Sequence, residues 1–326
     1  MSILRCFFST LIVICGLIFS MKSVTAQGGI PTGSIKIIVP FVPGGTADVL
    51  ARAISVRLTQ KYGQSVVVEN KPGMGGNIGA SDVAKAKPDG SILLLGTLGI
   101  HATHSVYSKL PYNPEKDLQP IIVLGGVACV IAVHPSRPFQ TLQELISYAN
   151  QNPGKLNYGS AGHGSSTHMV GEIFEQAANI KLTHIPYKGS SAAMNDLMGG
   201  QIDMMFELLT TAGTIVQSGR IRGLAVTGKA RSPVIPEIPT VAELIIPGFD
   251  VTGWFTVAVA SGAPKITVDR YNKDINEILG SQELQDTWKS LALHVMGGSP
   301  SQAKQFFESE SIKWKKVIQA GNIRAD

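Results

Sequence analysis

The stretch Ile35-Lys36-Ile37-Ile38-Val39-Pro40-Phe41-Val42-Pro43-Gly44-Gly45-Thr46-Ala47-Asp48 decides how the rest of the chain is read. Ile35 to Val39 is β-branched except at Lys36, which is the composition of a strand. Pro40 ends it, because proline has no N–H for the ladder. Beyond the glycines, Ala47, Leu50, Ala51, Ile54 and Leu58 recur on one helical stripe that stops near Gly63. A strand that passes through a glycine-rich loop into a helix is the unit of α/β proteins. Ligands in such proteins sit beyond the carboxyl ends of strands, where loops feed helix N-termini.

Outward from that unit the rhythm repeats. Strands are expected at Val66–Val68, Ile92–Leu95, Ile121–Val123, Val130–Val133, Leu156–Tyr158, Leu182–Ile185, Ile202–Phe206, Leu224–Thr227 and Trp254–Ala260. Helices are expected over Ser81–Lys87, after the capping box Thr141-Leu142-Gln143-Glu144, and over Thr167–Asn179, Ala192–Met198 and Ala212–Ser218. The chain after Ala260 reads as helical, with Ser299-Pro300 opening the last helix. The alternation predicts an α/β fold with mainly parallel sheets. Leu124–Val127 and Asp250–Gly253 read as short strand-like crossings, so the middle third is a second α/β half inserted into the first. The expected lobes are 27–126 plus 251–326, and 127–250.

The length of 326 residues accommodates two domains, and 44% apolar with 16% charged residues excludes a disordered chain. The net charge of +5 is not a nucleic-acid signature, because the 28 cations alternate with 23 anions and no basic run is interleaved with aromatics. Residues 1–26 read as a secretory signal peptide. Arg5 precedes the apolar run Phe7–Met21, and Val24-Thr25-Ala26 offers small residues for cleavage near Ala26. Cys6 and Cys15 fall inside that segment, which leaves Cys129 in an apolar run as a buried, inert thiol with no disulfide partner.

Candidate ligand-binding residues lie in the loops at the strand ends: Phe41, Pro43, Gly44, Gly45 and Asp48 after the first strand, and Thr97, Leu98 and His101 after the third. The middle third adds Ser160, Gly162, Gly164, Ser165, Ser166, Thr167 and His168, then Tyr187, Lys188 and Gly189. Loops of this kind leave backbone N–H groups free at positive helix ends, which suits a carboxylate. Glu207, at the end of an apolar strand, either pairs locally or accepts a hydrogen bond from a ligand amine or hydroxyl. Asp48 favours the first turn of its helix whatever its role. Trp254 and Phe255 read as hinge core or as cleft lining. Sharper chemistries fail. Gly73-Met74-Gly75-Gly76-Asn77-Ile78-Gly79 has Ile78 where a dinucleotide loop needs glycine, and no carboxylate or cysteine cluster joins His101 and His104. No cofactor and no metal are expected.

At these loops the sequence resembles the substrate-binding proteins of tripartite tricarboxylate transporters, the Bug family of periplasmic receptors. The resemblance is carried by Ile38–Asp48, by Val66–Gly73 with Gly75-Gly76-Asn77-Ile78-Gly79, and by Pro88-Asp89-Gly90 and Leu110-Pro111-Tyr112. Gly154–Ser160, His184–Gly189, Gly200-Gln201-Ile202-Asp203 and Pro239-Thr240-Val241-Ala242-Glu243 continue it in order. It implies a two-lobed periplasmic binding protein fold (type II-like), in which two Rossmann-like lobes are joined by two strand-like hinge crossings. It also implies a periplasmic monomer that captures a small organic acid and delivers it to integral membrane permease subunits. The loops Phe41–Asp48 and Ser160–His168 would hold the carboxylate, and Thr97, Tyr187-Lys188-Gly189 and Glu207 would line the remaining wall. Where family members often have a Phe-Asp-Asn-Leu-Pro-like stretch, this chain has Phe206-Glu207-Leu208-Leu209-Thr210. Leu98 and Ile100 likewise replace small or hydroxyl residues. Both departures lean towards an apolar-bodied acid. The alternatives are an exported serine hydrolase using Ser165 or Ser166 with a histidine, and a sensory ligand-binding module feeding a membrane kinase.

Overall fold

The computed structural model describes residues 27–325. The expected signal peptide, with Cys6 and Cys15, lies outside the described residues. The chain runs β1 (Ile35–Val39), α1 (Thr46–Tyr62), β2 (Val66–Asn70), α2 (Asn77–Ala84), β3 (Ile92–Thr97), α3 (Leu98–His101) and α4 (Pro114–Asp117) into a long strand, β4 (Leu118–Val133). The middle of the chain gives α5 (Leu142–Gln151), β5 (Asn157–Ser160), α6 (Ser166–Ala178), β6 (Thr183–Pro186), α7 (Ser190–Met198), β7 (Met204–Leu208), α8 (Leu209–Gln217), β8 (Arg222–Val226) and α9 (Val241–Leu244). It closes with β9 (Thr252–Ala260), α10 (Lys265–Gly280), α11 (Gln285–Ser290), β10 (His294–Gly297) and α12 (Pro300–Gly321). Among the described residues no helix is long and apolar enough to cross a membrane.

The strands follow the order β2-β1-β3-β9-β4-β7-β5-β6, with β8 and β10 also paired to β4. The outer groups are parallel: β2-β1-β3 on one side and β7-β5-β6 on the other. The centre is antiparallel, unlike the mainly parallel sheets the alternation suggests, because β4 and β9 both run from one group to the other. They pair from Leu118 opposite Ala260 to Ala128 opposite Thr252. From Cys129 onward β4 turns to β7 and β8. The sheet is therefore a single path with two α/β halves and a two-stranded ribbon between them.

Local chemistry explains most boundaries. Thr141 and Ser299 each form a complete capping box, and Pro300 occupies the first turn of α12. Gly63 closes α1 in the left-handed region, at φ 64°. Four further expectations are corrected. The two short strands at 121–123 and 130–133 are one strand, because Gly125 and Gly126 lie inside a ladder that β9 and β10 hold from both sides. α2 begins at Asn77 rather than Ser81. β7 begins at Met204 rather than Ile202 and extends to Leu208, and the segment after Ala260 includes β10. A Cβ at Gly125 would lie 2.2 Å from the His294 carbonyl oxygen, so only glycine lets β10 pair there. Cys129 is buried, and burial first, with Glu207 nearby, pushes its thiol well up, as an inert core residue requires.

Candidate ligand-binding cavity

The amino ends of α1, α6 and α7 meet around a small cavity that opens to solvent. Phe41, Gly45, Thr46, Ala47 and Thr97 line it from the first half of the chain. Ala161, Ser165, Ser166, Thr167, Ser190 and Leu208 line it from the middle, and Phe255 comes from β9. In α1 the first intrahelical bond runs from Val49 N–H to Gly45 O, so the amides of Thr46 and Ala47 have no acceptor in their helix. In α6 the corresponding bond is Met169 N–H to Ser165 O, which leaves the amides of Ser166 and Thr167. α7 starts after Gly189 without a side-chain cap. Three helix amino ends aimed at one space create a positive potential, and no lining side chain is charged. The hydroxyls of Thr46 and Thr97 are buried and have no hydrogen-bond partner among the described residues. Each such orphan costs about 1–3 kcal/mol, which an incoming ligand oxygen relieves. Phe41, Ala47, Leu208 and Phe255 supply an apolar flank. The cavity is built for an oxygen-rich anion with a short hydrocarbon body.

Of the residues singled out from sequence, Phe41, Gly45, Thr97, Ser165, Ser166 and Thr167 line this cavity. The others support it or stand elsewhere. Asp48 accepts hydrogen bonds from Gly44 N–H (3.1 Å), Arg52 Nε (2.9 Å) and Asn70 Nδ2 (3.0 Å), while Asn70 also donates to Phe41 O (3.0 Å). Burial raises its proton affinity, but those bonds outweigh burial and hold the carboxyl below its usual range. Asp48 is thus a brace for the Phe41–Gly45 loop. Pro43 and Gly44 form the rim, where Ser191 Oγ donates to Pro43 O (2.9 Å). Gly189 packs on Val42, and a Cβ there would lie 2.5 Å from Val42 Cγ2. Leu98 is core. His101 stacks on Phe307 at 4.1 Å with Trp254 at 6.3 Å, and burial, with His104 nearby, pushes its pKa down to about 3. Trp254 donates its indole N–H to Glu310 and belongs to the core, whereas Phe255 lines the cavity.

Tyr187 and Lys188 line a separate cleft with Gly75, Tyr107, Gly162 and His163 rather than the wall of the cavity. The Tyr187 hydroxyl is committed to Asp196 Oδ2 at 2.7 Å. Ser160, Gly164 and His168 belong to a histidine cluster behind the α6 loop. His163, His168 and His184 bring ring nitrogens within 4.8 Å of one another. His168 and His184 are stacked at 4.0 Å and 25°, so their in-plane lone pairs do not converge on one ion. His168 Nδ1 accepts from Gly164 N–H (3.0 Å), which assigns the ring proton to Nε2, 3.3 Å from Glu172. The cluster fixes the loop and offers a metal no convergent donor set. The serine hydrolase reading is corrected as well. Ser165 Oγ faces Thr167 Oγ1 and His168 N–H, not an imidazole. The serine–histidine pair that does form, Ser160 with His184 at 2.6 Å, has its serine fully buried. Glu207 is also fully buried. It accepts from Thr211 Oγ1 (2.6 Å) and stands behind Ser190 and Leu208. Thr46, Ala47, Ala161, Ser190, Leu208 and Phe255 complete the lining beyond the sequence candidates. Thr46 and Ser190 carry a visible signal, a hydroxyl residue directly after a loop glycine.

Contacts across the cleft hold the two halves together. Thr103 Oγ1 donates to Gly164 O (2.6 Å), and the Tyr107 hydroxyl donates to His163 O (3.0 Å). Gly75 has φ 57°, and a Cβ on it would lie 2.1 Å from the His163 carbonyl oxygen.

Residues 50–323 match the family described as "Tripartite tricarboxylate transporter family receptor". Three solved structures are similar to this chain. One is an R. palustris protein with adipate, 38% identical, with a TM-score of 0.87 over 90% of this chain and 99% of that one. Another is the periplasmic binding protein BugD, 32% identical, at 0.86 over 90% and 99%. The third is MatC from Rhodopseudomonas palustris with bound malate, 28% identical, at 0.84 over 89% and 100%.

Proposed function

The chain belongs to the tripartite tricarboxylate transporter receptor family, also called the Bug family, a family of receptors rather than enzymes, and from that premise we propose that it is a periplasmic receptor for a small organic acid. The observation that carries the reading is the cavity itself, where three helix amino ends and two orphan threonine hydroxyls face one space with no basic side chain. Charge-assisted hydrogen bonds from N–H groups contribute about 1.5–3 kcal/mol each, so three or four reach the roughly 8 kcal/mol of a micromolar complex. The apolar flank of Phe41, Leu208 and Phe255 favours a dicarboxylate with a hydrocarbon body. The adipate and malate bound by its structural relatives support that class. Lobes 27–126 with 251–326, and 127–250, close on the acid by bending beyond the Ala128–Thr252 pair. The closed monomer then hands the acid to the permease subunits of a tripartite transporter.

Thermal unfolding of residues 27–326 across mono-, di-, tri- and aromatic carboxylates and amino acids tests this. A ligand at about 100 times its dissociation constant stabilises the fold by about 2.7 kcal/mol. The expected result is a shift confined to a few related acids. No shift with any acid, in protein shown by mass spectrometry to carry no bound molecule, would overturn the reading.

A further inference from the structure

Glu207 presents a problem that an anion receptor has to solve. Its side chain is fully buried, its Oε1 accepts from Thr211, and its Oε2 has no hydrogen-bond partner among the described residues. The next residue, Leu208, and the hydroxyl neighbour Ser190 both line the ligand cavity. Among the described residues no cation pairs with it. β4, β5, β7, α6, α7 and α8, the elements around it, contain neither lysine nor arginine. The titratable groups on those elements are Cys129 on β4, Tyr158 on β5, His168, Glu172 and Glu175 on α6, and Asp196 on α7. Glu207 helps to push up the Cys129 thiol, after burial. A buried, unpaired carboxylate one residue behind an anion site would repel the ligand the site is shaped to hold.

We propose that Glu207 binds a proton as the anionic ligand enters, so that the receptor captures its acid together with about one proton. This inference rests on the carboxylate-receptor reading above. The step is a protonation: an O–H bond forms on the Glu207 carboxyl, the proton comes from solvent, and the ligand stays a carboxylate. Burial already brings the group to the neutral range in the free protein, at about 7, while the bond from Thr211 and the nearby polar groups of Ser190 and the Leu208 backbone work the other way. A second negative charge close by in a low-dielectric wall raises it further. Affinity therefore holds up to about pH 7 and then weakens, towards tenfold per pH unit, until the value for the complex is reached.

The test is calorimetric titration with adipate, malate and whichever acids shift the unfolding curve, at pH 8 in phosphate and in Tris, whose ionisation enthalpies differ. The difference in heat gives the number of protons bound. The expected result is uptake approaching one proton per ligand in the wild type and none in Glu207→Gln, which mimics the neutral acid, binds at pH 8 and loses the steep pH dependence. Thr211→Val, which removes the bond to Oε1, should move the break in the affinity curve to higher pH and lower the uptake read at pH 8, because more of the free protein already carries the proton. Ligand binding without proton uptake, or uptake that persists in Glu207→Gln, overturns the proposal and leaves the receptor reading standing. A zwitterionic ligand whose ammonium pairs with an ionised Glu207 would register as the first of these. A ligand-free check is the infrared carbonyl band of a buried carboxylic acid at pH 6. It is expected to be stronger in the wild type than in Glu207→Gln, where Glu175, also raised to about 7 by burial, still contributes, and a band of equal strength in both overturns the proposal whatever binds.

Discussion

At the scale of single residues, the site is defined by polar atoms that the folded chain leaves unpaired. Thr97→Val removes a hydroxyl that has no partner in the protein while keeping the shape of the side chain. The expected outcome is unchanged or slightly higher ligand-free stability and a loss of affinity of roughly fivefold, the worth of one net hydrogen bond, read by titration against thermal unfolding. Titratable residues set a second prediction. Burial holds His101 at about 3 and His184 at about 2, below the unfolded 6.5, so as pH falls the unfolded chain takes up protons first and stability is lost below about pH 6.5. Glu175 and Glu207 are raised by burial to about 7 from 4.5, so their contribution is present at low pH and lost between about 4.5 and 7. Between pH 4.5 and 6.5 the slopes oppose, and the thermal midpoint should be nearly flat there and fall on both sides. His101→Phe, which keeps the stack with Phe307 and Trp254, should make the acid limb shallower. An unchanged limb would remove His101 from the account.

At the scale of elements, the sequence was most informative where periodicity and caps act locally. The β1–α1 unit, the capping boxes of α5 and α12, and the α6 loop were all legible, and so was half of the cavity lining. What escaped depends on partners far along the chain. The four residues of β10 carry no pattern of their own and become a strand because Gly125 and Gly126 leave room on β4. Asp48 looked like a ligand group and proved to be a brace, since the three donors that claim it come from Gly44, Arg52 and Asn70. Phe255 could not be assigned to cleft or core from an alternating strand, because both faces of β9 are buried. The loop that carries Gly75 shows how closely the elements meet. Gly75→Ala places a methyl 2.1 Å from the His163 oxygen, on a residue already at positive φ. The backbone strain costs about 1 kcal/mol in either state, but the clash exists only when the cleft is shut. Affinity should fall at least tenfold with only a modest drop in the ligand-free unfolding midpoint. Equal losses in both would mean that the loop, not closure, had been damaged.

At the scale of the whole molecule, the proposed delivery of the acid depends on the proposed closure of the two lobes. β4 and β9 form one hydrogen-bonded ribbon up to Ala128 and Thr252, which on the proposed closure would move as a unit and put the bend just past it. Beyond it, Thr227 N–H bonds to Cys129 O and Val251 N–H to Thr227 O, two links that can flex without breaking a ladder. On the cleft side the shut form is held by Thr103 on Gly164, Tyr107 on His163 and Ser191 on Pro43. Each of these is worth about 0.5–1.5 kcal/mol net. Against them stand the unused helix amides and the two orphan hydroxyls, which make an empty, shut cavity expensive and a filled one favourable. The resting protein should therefore be open, and the cross-cleft bonds should count only once the acid is in place. Thr103→Val, which deletes the 2.6 Å bond to Gly164, then raises the dissociation rate of the acid about fivefold and leaves the association rate alone. Stopped-flow binding decides between the two resting states. If the association rate rises instead, the empty protein rests shut and must open to load, and the membrane partner would then need some signal other than closure to tell a loaded receptor from an empty one.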